Sequence, residues 1–240
     1  MLSNSKHQDE DFLDKEGAKA KAEYDELLAN AKDAKGIELE LPTDKYFSLD
    51  MDVCLTCNFC KDSRVREESY RHLSVGVGKE QSSIGEDLQN FFQPEVINIQ
   101  CEYCEEGQSV TQTMTIKSRP KALLVHLKHF FVHHMNKGEM TLRKSKTLVK
   151  SENSVSLEHF LTEEAAQGGD EYELIGVAHH IGHSTKSGHY TVDALQKEEN
   201  DDGREWVYFD DSATSKTSIE SILDKRKSHQ SNYLVLYGRL

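Results

Sequence analysis

Hydrophobic and polar residues alternate over much of this sequence, which is the pattern of half-buried β-strands. One such segment spans residues 37–41 and stops at Pro42, and another spans residues 70–77. Beyond residue 100 the pattern predicts strands over residues 110–117, 122–131, 172–178, 189–195, 205–209 and 233–237. The mostly apolar segment 122–131 is typical of a central strand. Few long helices fit this half of the chain, so antiparallel β structure is expected to dominate it.

Two segments favour helix instead. Residues 84–92 place their large apolar side chains on one side of a short helix. Residues 9–35 are rich in Ala, Glu, Lys and Asp but carry few large apolar side chains, which predicts a solvated or partly disordered helical arm, or a helix that docks on a partner. We therefore expect an α+β fold, in which an acidic arm precedes a strand-rich domain.

The charge balance restricts the class of partner. Acidic residues number 42 against 29 basic ones, which gives a net charge of −13. This excess argues against nucleic acid or an anionic membrane as the main partner and favours a partner with a basic face. No apolar segment approaches the roughly 18 residues of a membrane span, and the N-terminus lacks the layout of a signal peptide. The protein is expected in the cytosol, the nucleus or both.

Four of the five cysteines form two C-x-x-C pairs, Cys57 with Cys60 and Cys101 with Cys104. In a reducing compartment such thiols are metal ligands or free thiols more often than disulfides. Two pairs satisfy tetrahedral Zn²⁺ with no open position, so they predict a structural zinc site. The long gap between the pairs leaves ordinary buried thiols as an alternative. Cys54 could compete as a ligand, but we interpret it as a spare free cysteine.

A histidine and two aspartates lie where two neighbouring strands would meet. His189 begins one predicted strand, and Asp210 and Asp211 end the next. In an antiparallel pair the start of one strand lies beside the end of the other. An imidazole held by a carboxylate is the base and orienter of a hydrolytic triad. The residues alone leave open which aspartate is the partner, and whether the histidine is incidental. Gly188 would let a substrate backbone come close.

Five groups of residues in this order resemble the ubiquitin-specific proteases, a family of papain-like cysteine deubiquitinases. They lie at residues 55–75, 101–104, 119–130, 172–190 and 206–237. The third group has His129 where the family pattern has arginine. The resemblance covers about residues 46–240, so it implies one domain over residues 46–240 and leaves residues 1–45 as the acidic arm. It implies a papain-like fold, with zinc-ribbon-like fingers over about residues 46–118 and an antiparallel palm sheet over about residues 119–240.

The resemblance also implies roles for individual residues. His189 would be the general base and Asp210, rather than Asp211, its orienter. The four paired cysteines would hold structural Zn²⁺. Ubiquitin or a ubiquitinated protein would be the partner. In the family a cysteine thiolate on an upstream thumb subdomain attacks the carbonyl of ubiquitin's C-terminal glycine. No cysteine precedes Cys54 in this sequence, and Cys57 fits the first zinc knuckle. Neither the thumb nor a nucleophile is therefore expected in this chain.

These observations predict the C-terminal part of a deubiquitinase, a hydrolase of the thiol-protease type by resemblance but inactive as an isolated chain. One alternative is a catalytically inactive pseudo-protease that binds ubiquitin. Another is a zinc-stapled protein-interaction module unrelated to ubiquitin. The presence of both His189 and Asp210 favours a fragment or a recent loss of activity, since a long-standing binding module has no need of them.

Overall fold

The structure is a computed structural model, and it describes residues 41–78, 80–134, 140–166, 171–182, 187–197, 203–224 and 232–240. The chain divides into two compact units, Met1–Pro42 and Thr43–Leu240. The predicted arm over residues 1–45 and the predicted strand over residues 37–41 lie almost wholly outside the described residues. None of the described helices is long and apolar enough to cross a membrane.

Strands dominate the described residues, as the alternating pattern predicts. The strands are β1 (Leu49–Cys57), β2 (Ser63–Tyr70), β3 (Leu73–Gly76), β4 (Gln81–Ser83), β5 (Glu95–Ile97), β6 (Val110–Ser118), β7 (Ala122–Lys128), β8 (Phe130–His134), β9 (Met140–Lys144), β10 (Leu148–Lys150), β11 (Ser154–Ser156), β12 (Glu171–Ile181), β13 (His189–Lys197), β14 (Arg204–Asp210), β15 (Ala213–Lys216) and β16 (Asn232–Arg239). The helices are α1 (Pro42–Phe47), α2 (Ile84–Phe91), α3 (Ile219–Leu223) and a 3₁₀ turn at Glu158–Phe160. The predicted α+β class is confirmed.

A four-stranded antiparallel sheet in the order β2-β1-β6-β5 forms the finger sheet. In β1 every second side chain is buried, from Leu49 to Cys57, and the polar residues between them are only partly buried. Neither β1 nor β2 is among the predicted strands, although β1 follows strict alternation. The finger sheet carries both cysteine pairs at or beyond its strand ends.

The palm sheet has the strand order β15-β14-β13-β12-β16-β7-β3, with β11 added beside β12. Its neighbours are antiparallel except for β3 and β7, which run parallel. The apolar face packs against α2, whose Ile84 and Leu88 are buried in the same cluster as Val125 and Val235. A capping box between Ser83 and Glu86 fixes the start of α2, which matches the helix predicted over residues 84–92.

Two predicted strands are each divided between different sheets, so those two predictions are wrong. The segment 70–77 ends β2 at Tyr70, and its later residues form β3 of the palm. The segment 122–131 ends at Lys128, and β8 pairs with β9 in a separate hairpin. At that break the His129 N–H donates to the Leu127 carbonyl over 2.8 Å, a tight turn that buries the imidazole. Apolar character alone cannot reveal such a turn.

Candidate functional site

The four paired cysteines converge at the tip of the finger sheet. The Sγ atoms of Cys57 and Cys104 are 3.9 Å apart, and those of Cys60 and Cys101 are 3.8 Å apart. All four sulfur atoms lie within 4.8 Å of one another. A tetrahedral Zn²⁺ with Zn–S bonds of about 2.3 Å has Sγ···Sγ edges of about 3.8 Å. The donor set and its spacing therefore fit zinc.

Tight turns present each first cysteine to the centre of this site. The Phe59 N–H donates to Cys57 Sγ over 3.4 Å, and the Tyr103 N–H donates to Cys101 Sγ over 3.3 Å. Backbone N–H groups, that of Cys60 first and that of Phe59 next, lower the pKa of Cys57 to about 6. The thiolate is the form that binds metal, so the turn prepares Cys57 as a ligand.

Gly107 is a residue of this site that the sequence analysis missed. A Cβ atom at position 107 would lie 2.6 Å from Cys57 Sγ and 2.9 Å from Cys101 Cβ. The Gly107 carbonyl also accepts the Cys101 N–H over 2.8 Å. The backbone here must approach the sulfur atoms closely, which only glycine allows. A glycine three residues after the second C-x-x-C pair is the signal that could have revealed it.

The substitution Gly107→Ala is expected to weaken zinc binding by roughly tenfold or more, because the added methyl group displaces a ligand. Competition with a chromophoric chelator measures this affinity. Gly76→Ala is the matched control, since a Cβ atom there meets nothing within 4 Å. Equal zinc affinity in the two variants would contradict the crowding argument.

Cys54 lies outside the four-sulfur group. It precedes Cys57 by three strand positions, so its side chain points to the other face of β1. Its Sγ atom lies 3.8 Å from the hydroxyl of Thr56. The structure thus separates Cys54 from the group that contains Cys57, Cys60, Cys101 and Cys104.

His189 and Asp210 meet at the edge of the palm sheet. Val192 of β13 pairs with Phe209 of β14, so the start of one strand lies beside the end of the other. The Nε2 atom of His189 lies 2.5 Å from Oδ1 of Asp210. Both side chains are a little under half exposed. The hydrogen bond to Asp210, and then the charges of Asp210 and Asp211, raise the pKa of His189.

Asp211 has a different place from its neighbour. It follows the last residue of β14 and has a φ angle of 51°, in the left-handed region that a tight hairpin turn requires. Asp210 is therefore the carboxylate that hydrogen-bonds His189, and Asp211 contributes charge only. His189, Asp210 and Asp211 also hold one potential metal-ligand atom each within 4.8 Å of the others. Exposed groups of this kind are common without an ion.

The space beside Gly188 is filled by the ring of His180. A Cβ atom on Gly188 would lie 2.0 Å from His180 Nε2. The expectation that this glycine leaves room for a substrate backbone is therefore wrong on this side of the strand. Gly188 is needed because a buried imidazole packs directly against its backbone.

The cysteines and the histidine belong to different parts of the domain. All five cysteines of the sequence lie among the described residues, in β1 or in the two knuckles of the fingers. The group of ligand atoms around His189 contains two carboxylates and no thiol. The site therefore has a base and its orienter, and no cysteine of this sequence joins them.

Comparison with known proteins identifies the fold and the family. Solved SAGA Ubp8/Sgf11/Sus1/Sgf73 DUB modules share the fold: the one bound to ubiquitin aldehyde has a TM-score of 0.68 and 24% identity over 84% of this chain and 43% of that chain. Another, bound to monoubiquitin, has a TM-score of 0.69 and 23% identity over 86% of this chain and 43% of that chain. The predicted papain-like fold with fingers and an antiparallel palm is thus confirmed.

Curated relatives point to the same family. The probable ubiquitin carboxyl-terminal hydrolase 16 of Schizosaccharomyces pombe is 30% identical over 77% of this chain and 37% of its own length. Human ubiquitin carboxyl-terminal hydrolase 15 is 35% identical over 58% of this chain and 13% of its own length. The chain thus spans well under half of each relative. The sequence profile described as ubiquitin carboxyl-terminal hydrolase matches residues 11–237, and the chain belongs to that family.

Proposed function

We propose that this chain provides the fingers, the palm and the acid–base half of the active site of a deubiquitinase. In this role His189 is the general base and Asp210 is its orienter. The observation that carries the proposal is the hydrogen bond of 2.5 Å between His189 Nε2 and Asp210 Oδ1. Membership of the ubiquitin carboxyl-terminal hydrolase family supplies the reaction class.

The direction of this hydrogen bond assigns the two ring nitrogens of His189. An ionised carboxylate only accepts hydrogen bonds, so Nε2 carries a proton and donates it to Asp210. Nδ1 is then the atom that takes the proton of an attacking thiol and later gives it to the leaving amine. The charge of Asp210 stabilises the imidazolium that forms between these steps, in line with the raised pKa of His189.

The nucleophile for this reaction would have to be a thiol from outside this sequence, because its cysteines all belong to the fingers. The chain by itself would then bind ubiquitin without cleaving it. A pseudo-protease would behave in the same way in isolation. A zinc-stapled module unrelated to ubiquitin would not bind ubiquitin at all, so binding separates the third alternative from the first two.

Ubiquitin is the partner that we propose for the fingers and palm. The relatives are called ubiquitin carboxyl-terminal hydrolases, and the solved modules were captured with ubiquitin aldehyde or monoubiquitin. The net charge of −13 suits the basic surface of ubiquitin. A reducing compartment, the cytosol or the nucleus, would keep the four paired thiols available for metal.

We also propose that Cys57, Cys60, Cys101 and Cys104 hold one structural Zn²⁺. Four thiolates close the coordination sphere, so the ion would have no open position for substrate. It would clamp the β1–β2 hairpin to the segment between β5 and β6. The ion would therefore stabilise the fingers and take no part in hydrolysis.

A ubiquitin probe with a C-terminal electrophile tests the functional proposal. We expect the isolated chain to bind ubiquitin reversibly, as seen by chemical-shift changes in labelled ubiquitin, and to remain unlabelled by the probe. Labelling of Cys54 or Cys57 would contradict the assignment of the cysteines. Absence of reversible binding would contradict the ubiquitin proposal and favour the unrelated interaction module.

A further inference from the structure

Among the residues that the structure describes, only one neighbouring strand supports the part of the palm sheet that carries His189. Among the described residues, His179 is the last residue of β12 that pairs with β16, and Val192 is the first residue of β13 that pairs with β14. Beyond these points β12 and β13 form a two-stranded ribbon, in which His189 pairs with Ile181. The sheet ladder alone therefore leaves the ribbon free to bend, and other contacts must fix it.

Lys144, the last residue of β9, supplies three such contacts. Its Nζ atom donates to the carbonyl oxygen of His180 over 2.7 Å and to that of Gly182 over 3.0 Å. It also lies 3.1 Å from Nδ1 of His180. An ammonium group has three donors and no acceptor, so these contacts use it fully. Nδ1 of His180 must accept, which leaves the ring proton on Nε2.

The base of the β8–β9 hairpin holds the His180 ring from two sides. Phe130 pairs with Lys144 across the hairpin. Its ring packs edge-on against His180 at a centroid distance of 5.4 Å, while Lys144 reaches Nδ1 of the same imidazole. The far edge of the imidazole rests on the backbone of Gly188, where a Cβ atom would lie 2.0 Å from Nε2. Contacts thus run without a gap from the hairpin to the residue before His189.

We infer that Lys144 and His180 are positioning residues, which fix the backbone at Gly188 and so hold His189 within hydrogen-bond reach of Asp210. Neither residue touches the reacting atoms. The inference rests on the proposed function only in taking His189 as the base. A displacement of about 1 Å is enough to impair a catalytic group, so support of this kind matters for the site.

The pKa of His189, followed by NMR titration of its imidazole in this chain, tests the inference. Asp210→Asn gives the reference, because it removes the charge that raises the pKa of His189. We expect Lys144→Met to lower that pKa toward the value in Asp210→Asn. Loss of a nearby positive charge would by itself raise the pKa of His189. A fall to the value in Asp210→Asn therefore has the sign that loss of the contact with Asp210 predicts and opposes the effect of the removed charge.

Lys150→Met is the matched control, since Lys150 is an exposed lysine on β10, the next strand along the chain, and it should leave the titration unchanged. An unchanged or raised pKa in Lys144→Met, with a lowered one in Asp210→Asn, would overturn this inference and leave the proposed function intact. An unchanged pKa in Asp210→Asn would instead overturn the pairing on which the proposed function depends. If Lys144→Met fails to fold, His180→Ala decides, because it removes every ring atom that lies against Gly188. A His189 pKa like that of the unsubstituted chain would then overturn the inference.

Discussion

Removing the proposed Zn²⁺ from the four-cysteine site is expected to unfold the tip of the finger sheet while the palm stays folded. At the base of this sheet, Met51 and Ile116 belong to the main hydrophobic cluster. Nearer the knuckles, Leu55 and Val110 are buried but lie outside that cluster. The tip thus has little apolar core of its own, and structural zinc is worth on the order of 10–16 kcal/mol in small zinc-dependent domains.

Two serine variants separate the metal site from a spare thiol. Cys101→Ser removes one ligand and is expected to purify without zinc and to lose hydrogen-exchange protection over residues 54–60 and 110–113. Cys54→Ser should keep one zinc ion per chain and its protection. The fluorescence of Trp206, the single tryptophan, reports the palm and should not change in either variant. Full hydrogen-exchange protection of the finger tip in metal-free Cys101→Ser would contradict the proposal that zinc clamps this part of the sheet.

The sequence was sufficient for features that depend on short-range spacing. The spacing of each C-x-x-C pair is enough to predict a tight turn. The structure adds that the two turns meet, with Cys57 beside Cys104. His189 and Asp210 could be placed together because antiparallel strands bring a start beside an end. The same rule could not choose between neighbouring aspartates, which the left-handed turn at Asp211 decides.

Contacts between distant segments were beyond the reach of the sequence. Lys144 and His180 are separated by 36 positions, and no local pattern marks their hydrogen bond. The role of Gly107 likewise depends on where the sulfur atoms of the first knuckle lie. Residue type alone suggests open space beside Gly188, whereas His180 from the adjacent strand fills that space.

His129 stands where the family pattern has arginine. The structure shows that this histidine is buried, which has a measurable consequence for stability in acid. His129 is 1% exposed, and neither ring nitrogen has a side-chain hydrogen-bond partner among the described residues; the backbone of Asn232 is the polar group that raises its pKa slightly. Burial, reinforced by the positive charge of Lys144, lowers the pKa of His129 to about 4, from an ordinary value of 6.5. The native state therefore holds this imidazole neutral at pH values where the unfolded chain protonates it.

The free energy of unfolding is accordingly expected to fall as the pH falls from about 6.5 to about 4, by about 3 kcal/mol for this one histidine. The sign follows because the unfolded state binds more protons than the native state throughout that window. Urea unfolding, followed by Trp206 fluorescence, measures the loss between about pH 7.5 and about pH 4.5. His129→Gln removes the titrating group, so its free energy of unfolding should fall correspondingly less over the same pH range.

The decisive quantity is the difference between the unsubstituted chain and His129→Gln in the stability that each loses in acid. Other acid-sensitive groups act equally in both proteins. Burial also lowers the pKa values of His126 and His180, and acid releases metal from thiolates, but His129→Gln retains all of these groups. His159→Gln is the matched control at an exposed histidine and should follow the unsubstituted chain. If His129→Gln loses as much stability in acid as His159→Gln does, the buried imidazole is already protonated or solvated in the native state, and the prediction is wrong.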